Sequence, residues 1–449
     1  MKMKKRSPLL LLVFATLQMQ SATAQEPGRT LSLDLLKVRQ MALAQNNNLL
    51  TRDLDAKIAE EEIHQTRQKR LPLLNTDVHV QRNLIIPTTP VPAKAFNPNA
   101  PEGEIMPLQF ATRYGGQAGM ELNYNLVDAA HKSEVRQARL RADIAKTDRE
   151  LAETDAVYNA SRIYAAALIA HEQLQLARAD VTAKTAIHNM LAEQAEAGRI
   201  TLNEFNNGKA GLNNALSRQK EAANILDKAN ADLLYELGID PFPETRIRFE
   251  DDIDQLFSRF SVPEMHSSQS MSLQKLDQQN QLLQEEMVGI RVKNYPRVYL
   301  GGYLGSNFFS NAFDIYKTER WHGNSYVKLG VQVPLTGWFS FESQKKVLNY
   351  RLEANKLLEK NQLHQTALDY YKARKDAAFY EDKYKDKKAN FHLQQSNYRL
   401  ARQQFDEGRL LIGDLHETDF RMQQAKNEYL NAAYEYVLAM LEAENVMKK

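Results

Sequence analysis

Cysteine is absent from the 449 residues, which excludes disulfides, thiolate metal sites and lipid attachment through a cysteine behind an export signal. Beyond the N-terminus, no stretch approaches the roughly 18 consecutive apolar residues of a membrane-spanning helix. If a membrane holds this chain, the spanning structure has to be a closed β-barrel, the other fold that satisfies every backbone polar group in lipid. There is no phosphate-binding P-loop, no GxGxxG fingerprint and no GxSxG elbow, so the chain has no evident means of coupling energy or presenting a nucleophile. Its ten histidines show no HExxH or paired metal spacing, and His171-Glu172 reads as an ordinary helix-surface pair. Carboxylates are plentiful, but on charged helices they form solvated faces. No enzyme, metal site or cofactor is expected.

The N-terminus carries what the rest lacks. Lys2, Lys4, Lys5 and Arg6 form a cationic start, Leu9 to Leu17 a short apolar run, and Ala22-Thr23-Ala24 a small-x-small cleavage site. Residues 1–24 are therefore read as a signal peptide, and the mature chain begins near Gln25. That peptide holds four of the 58 basic residues and none of the 56 acidic ones, leaving 54 basic against 56 acidic, a net charge of −2. The basic balance of the full chain belongs to the export signal, and no nucleic-acid partner is expected.

Glycine and proline are missing between Asp128 and Ala197 and again between Phe341 and Glu407. These are the strongest breakers of regular structure, so each stretch is predicted to be one unbroken helix, at 128–197 and 341–407. Both are rich in strong helix formers, and Val157, Ala160, Tyr164 and Ala167 recur at the three- and four-residue steps of an apolar stripe. Nearly seventy residues at 1.5 Å each make a rod of about 100 Å, which needs other helices beside it. Each rod follows two segments of period two. Ala118, Met120, Leu122, Tyr124 and Leu126 alternate with Gln117, Gly119, Glu121, Asn123 and Asn125. Val327, Leu329, Val331, Val333 and Leu335 alternate with Lys328, Gly330 and Gln332; Thr76, Val78 and Val80 alternate with Asp77, His79 and Gln81. The remaining segment, Val298 to Leu304, is less regular because Tyr299 and Tyr303 occupy the other face. Roughly ten-residue strands, apolar on one side and polar on the other, are the pattern of an outer-membrane barrel.

The halves repeat one plan. Arg67, Lys69 and Pro72 match Arg291, Lys293 and Pro296, and Ala197-Gly198-Arg199-Ile200 matches Glu407-Gly408-Arg409-Leu410. The first repeat is placed at 25–238, with strands near 74–86 and 116–126, the long helix, and a helix at 203–237. A linker at 239–263 leads to the second repeat at 264–449, with strands near 296–306 and 325–335, the other long helix, and a helix at 414–447. Glycine after each rod marks a left-handed stop and chain reversal. The connections between paired strands are long, one crowded with Pro87, Pro90, Pro92, Pro98, Pro101 and Pro107, the other aromatic with Phe308, Phe309, Phe313, Tyr316 and Trp321. Four strands cannot close a barrel unaided, so oligomerisation is expected.

This order of elements, the duplicated plan and the turns at Gly198 and Gly408 resemble the TolC-like outer-membrane efflux proteins over essentially the whole mature chain. The resemblance implies a homotrimer in which three protomers give four strands each to a twelve-stranded transmembrane β-barrel, continuous with an α-helical barrel in the periplasm. It also implies outer-membrane lipid around the barrel, a periplasmic adaptor protein and an inner-membrane transporter as partners, and exported small molecules or proteins as cargo. Efflux and type I secretion both remain open. In that family the periplasmic tip is closed by an inner hairpin bearing acidic rings, and the segment from Gly408 to Glu417 is similar to it, putting Asp414 and Glu417 at the acidic positions. Glu204 resembles the acidic partner on the neighbouring hairpin, and Phe405 stands where the family can have a tyrosine; Leu410 replaces a frequent arginine. Helix-dipole capping is the competing account of Asp414 and Glu417. The competing account of the whole is a non-spanning periplasmic coiled-coil structural or adaptor protein.

Overall fold

The computed structural model describes residues 30–240, 246–258 and 270–448; the export segment read at 1–24 and parts of the 239–263 linker lie outside these. Along the chain run β1 (Thr30–Leu33), α1 (Leu35–Gln45), α2 (Asn47–Gln68), β2 (Leu73–Arg82), β3 (Thr89–Pro92), β4 (Ile105–Leu108), β5 (Tyr114–Val127) and α3 (Ala129–Glu196). They are followed by α4 (Leu202–Glu236), β6 (Arg246–Phe249), α5 (Ile253–Ser258), α6 (Met271–Val292), β7 (Arg297–Ser310), β8 (Trp321–Gln332), α7 (Gly337–Asp406) and α8 (Ile412–Lys448). The chain is mainly α. Its two longest helices, of 68 and 70 residues, fill the two stretches free of interior glycine and proline.

The chain divides into two compact units, one comprising the described residues up to Val38 with Ile163–Phe257, the other Arg39–Arg162 with the described residues from Ser258 onward. In the first unit β1 pairs in parallel with β6, bringing Leu33 opposite Phe249. Buried Tyr164 of α3 donates its hydroxyl to an Asp251 carboxylate oxygen at 2.9 Å, and the Leu35 N–H donates to the same oxygen at 2.8 Å. Burial first, and the Asp251 charge second, push the Tyr164 phenol upward, so it stays a donor. Ala170, Leu174 and Ala177 of α3 pack against Ala222 and Leu226 of α4, with Phe249 at their side. The stretch expected to be a plain linker therefore contains a strand and a short helix, β6 and α5. Its prolines at 241 and 243 suggested a connector, whereas the alternating Arg246-Ile247-Arg248-Phe249 had a partner in β1, some 200 residues away, that local pattern could not supply.

In the second unit buried Ala377, Tyr384 and Phe391 recur at a seven-residue spacing on α7, and the rings of Tyr384 and Phe391 pack against Tyr429 and Tyr436 of α8 at centroid distances of 5.6–5.9 Å. Lys383–Glu435 and Lys387–Glu428 pairs flank this seam at 2.5 and 2.7 Å. Across α6 and α7, buried Asn355 donates to Asn280 at 2.9 Å, fixing their register. The strands form one antiparallel sheet in the order β2-β5-β7-β8. A second small ladder, β3 with β4, lies within the proline-rich connection. Proline at 334 donates no hydrogen bond, and β8 stops at Gln332, leaving Val333 and Leu335 outside the expected strand; at its other end β8 reaches back to Trp321. β7 runs on to Ser310, so Phe308 and Phe309 belong to the ladder and not to the loop.

Candidate functional site

The register of the sheet sorts its side chains onto two faces. Val78 stands opposite Ala118, Thr76 opposite Met120, Met120 opposite Leu304, and Leu300 opposite Leu329. Partners in register share a face, so Leu74, Val78, Val80, Met120, Leu122, Leu304, Val327, Leu329 and Val331 lie on one side. That side is open: Val327 is 82% exposed, Leu304 70% and Val78 68%. The opposite face carries Asp77, His79, Gln117, Glu121, Asn307, His322 and Lys328. The irregular tyrosine of β7 has a physical reason. Its ring lies over Gly119 and Gly305, where an added Cβ would collide with it, and stacks on Tyr326 at 5.8 Å. Tyr303 thus fills the space that two glycines leave on the polar face. Neither β2 nor β8 has a second strand partner among the described residues, so both edges of the sheet are open.

The two glycine turns are built alike. Gly198 has φ +66° and Gly408 φ +73°, and a Cβ at either would meet nothing within 4 Å. Backbone conformation, not space, selects glycine there. At the first turn Arg199 N–H donates to Gln194 and Gly198 N–H to Ala195; at the second, Arg409 donates to Gln404 and Gly408 to Phe405. Each is the paired-bond C-terminal motif that satisfies the last helical carbonyls. Sequence spacing located both glycines, and their left-handed φ explains why the chain reverses there.

The tip residues differ from one another. In the first unit Glu204 is the third residue of α4 and closes a capping box: Thr201 N–H and hydroxyl donate to its carboxylate at 2.8 and 2.9 Å, and Thr201 Oγ1 accepts from Glu204 N–H. These bonds, the backbone one foremost, hold Glu204 below the usual carboxylate range. In the second unit Asp414 lies exposed in the first turn of α8, its carboxylate without a hydrogen-bond or ion-pair partner among the described residues, while exposed Glu417 pairs with Arg421 at 2.5 Å. Phe405 is half-buried in the last turn of α7. The fold brings Asp414 and Glu417 within one turn of each other and puts Glu204 in the other compact unit. Arg421 was overlooked at the sequence level, although its i,i+4 spacing from Glu417 was visible; so was the Thr-x-x-Glu signature at Thr201. Among the described residues no group of three or more metal-capable side chains occurs, and no helix is long and apolar enough to cross a membrane.

No family model and no curated protein matches the sequence. Solved structures do match the fold. The Campylobacter jejuni CmeC outer membrane channel aligns with a TM-score of 0.69 and 16% identity over 92% of this chain and 85% of its own. The open state of the Neisseria gonorrhoeae MtrE outer membrane channel gives 0.69 and 16% over 92% and 88%. CusC, described in connection with transmembrane channel formation, gives 0.71 and 13% over 95% of each chain. Identities this low speak to architecture, and the architecture is shared over 92–95% of this chain: it has the TolC-like outer-membrane channel fold.

Proposed function

We propose that this chain is the outer-membrane exit duct of a tripartite efflux pump or a type I secretion system, working as a homotrimer. One observation carries the proposal: a four-stranded sheet with both edges open and one face apolar and solvent-exposed, continuous in sequence with helices of about seventy residues. In water such a sheet is a template for aggregation. In lipid the apolar face is satisfied, and the open edges require further strands until the ladder closes. Three copies supply the twelve strands of a barrel, with the polar face lining its lumen. The likeness to outer membrane channels supports the same reading. The two structural repeats, 25–238 and 264–449, then act as one hairpin-plus-rod unit used twice, and a periplasmic adaptor and an inner-membrane transporter supply the energy and cargo.

Asp414 and Glu417 are assigned to the periplasmic constriction, where three copies converge and their mutual field favours cations. The Glu417–Arg421 pair divides their roles: Asp414 brings an uncompensated charge, Glu417 a compensated one. Outer-membrane fractionation and a heat-modifiability gel test residence and assembly, and recovery of the mature chain as a soluble periplasmic monomer would overturn the proposal. Reversal potentials in a salt gradient test the constriction. Cation preference should weaken in Asp414→Asn and strengthen in Arg421→Gln, which releases the Glu417 charge; unchanged potentials in both would remove these residues from the gate.

A further inference from the structure

The four junctions between strands and helices, α2 to β2, β5 to α3, α6 to β7 and β8 to α7, all lie at one end of the sheet. The nine residues on the helical side of each junction, 64–72, 128–136, 288–296 and 333–341, hold seven basic side chains and two acidic ones. A chain that is nearly neutral after its export signal thus concentrates positive charge at this rim. At the other end of the sheet, residues 83–91, 105–113 and 311–320 hold three basic and two acidic residues. Six of the rim cations, Arg67, Lys69, Arg70, Lys132, Arg291 and Lys293, are exposed, and among the described residues no hydrogen bond or ion pair engages their side chains. The seventh, Arg136, faces Glu285 at 3.7 Å. The fourth junction carries no charge but exposes Leu335, Trp338 and Phe339, the last by 87%.

Part of this rim is a groove of about 640 Å³ with two kinds of wall. Lys69, Arg70 and Lys132 line it on the polar side, and Leu126, Val127 and Val288 on the apolar side. The acidic residues lining it are mostly engaged. Asp128 accepts from Ala130 N–H at 3.0 Å and faces Arg297 at 3.7 Å, and Glu285 is paired with Arg136; Glu134 remains. A bulge between Asn125 and Val127 shifts the alternation of β5, so Val127 stands in register with Val298, and Val298 with Val331. The apolar wall is therefore continuous with the exposed apolar face of the sheet.

Resting on the outer-membrane reading above, we infer that this groove binds an anionic phospholipid of the periplasmic leaflet, its headgroup phosphate on Lys69, Arg70 and Lys132 and the start of an acyl chain along Val127 and the apolar row. A cationic rim directly beneath an apolar surface is complementary to an anionic headgroup above its own chains, and each lysine or arginine near such a surface contributes about a fivefold preference. Exposed Trp338 and Phe339 occupy the same interfacial level, where aromatic rings anchor.

The test reconstitutes the mature chain in phosphatidylcholine vesicles and compares the immobilised fractions of spin-labelled phosphatidylglycerol and spin-labelled phosphatidylcholine. Wild type should retain phosphatidylglycerol at least about fivefold over phosphatidylcholine. The Lys69→Gln, Arg70→Gln, Lys132→Gln triple variant should fall to near parity with its oligomer band unchanged, whereas exposed Lys372→Gln, near the middle of α7 and so far along the rod from its junction with β8, should keep the preference. If the triple variant does not assemble, Lys132→Gln alone should show a smaller loss. Equal retention of the two lipids by wild type, or undiminished preference in the variants, overturns the assignment, as when a neighbouring copy covers the groove. Loss of preference in inorganic phosphate but not in chloride of equal ionic strength also overturns it, in favour of a free-anion site. A chain that immobilises neither lipid is not in the membrane at all, a result distinct from equal retention, and it removes the underlying reading as well.

Discussion

At the two tips, single residues decide whether a seventy-residue helix ends or continues. Gly408 reverses the chain because a left-handed φ costs an L-residue about 1–2 kcal/mol that glycine does not incur. Gly408→Ala should therefore lower stability by about 1 kcal/mol, read as a shift in denaturation midpoint, while Gly413→Ala, at a helical position with open space around it, should be neutral or slightly stabilising. Glu204 gives a pH-dependent counterpart. Its folded-state pKa is depressed, so its contribution is complete above the unfolded value, near the 4.5 of an ordinary glutamate, and is lost as pH falls through the lower folded value. The difference in thermal midpoint between wild type and Glu204→Gln should be largest near neutrality and should close in acid. A constant difference would mean that the capping bonds do not depend on the charge.

The elements answer to period and punctuation. α3 and α7 run unbroken because nothing in their interiors interrupts the i→i−4 ladder, and their stability comes from seams such as that of Tyr384 and Phe391 against Tyr429 and Tyr436. Proline at buried Ala377 removes a helix hydrogen bond and clashes with the preceding turn. It should cost about 3 kcal/mol or more, visible as lost assembly or a lowered melting temperature. Ala167→Pro, at an equally buried position in α3, should behave alike. Strand limits were less legible than helix limits. Pro334 ends β8 early, and the bulge at Asn125/Val127 breaks the alternation of β5, because both depend on which backbone groups find a partner across the sheet.

For the whole molecule, the proposed function makes the membrane part of the folded state, because lipid would cover the exposed apolar face. Arginine at Leu122 or Val331 puts a charge on that face and should cost about 2–4 kcal/mol if the position lies near the bilayer midplane, reducing the yield of heat-modifiable oligomer. Arginine at Asn123, in the adjacent register on the polar face, should be tolerated. Equal tolerance at both positions would mean that the sheet is not lipid-facing.

The sequence alone determined the long helices, the strand faces and the reversals at Gly198 and Gly408. Each of these is written in local terms: the absence of breakers, a period of two or of three to four, or a residue that tolerates positive φ. Tertiary structure decided what depends on distant partners. It paired β1 with β6 inside the expected linker, seated Tyr303 over Gly119, and gathered Lys69, Arg70 and Lys132 around one groove. Local pattern names the residues that can interact. Only the folded backbone brings chemically suited groups within reach of each other across sixty to two hundred positions.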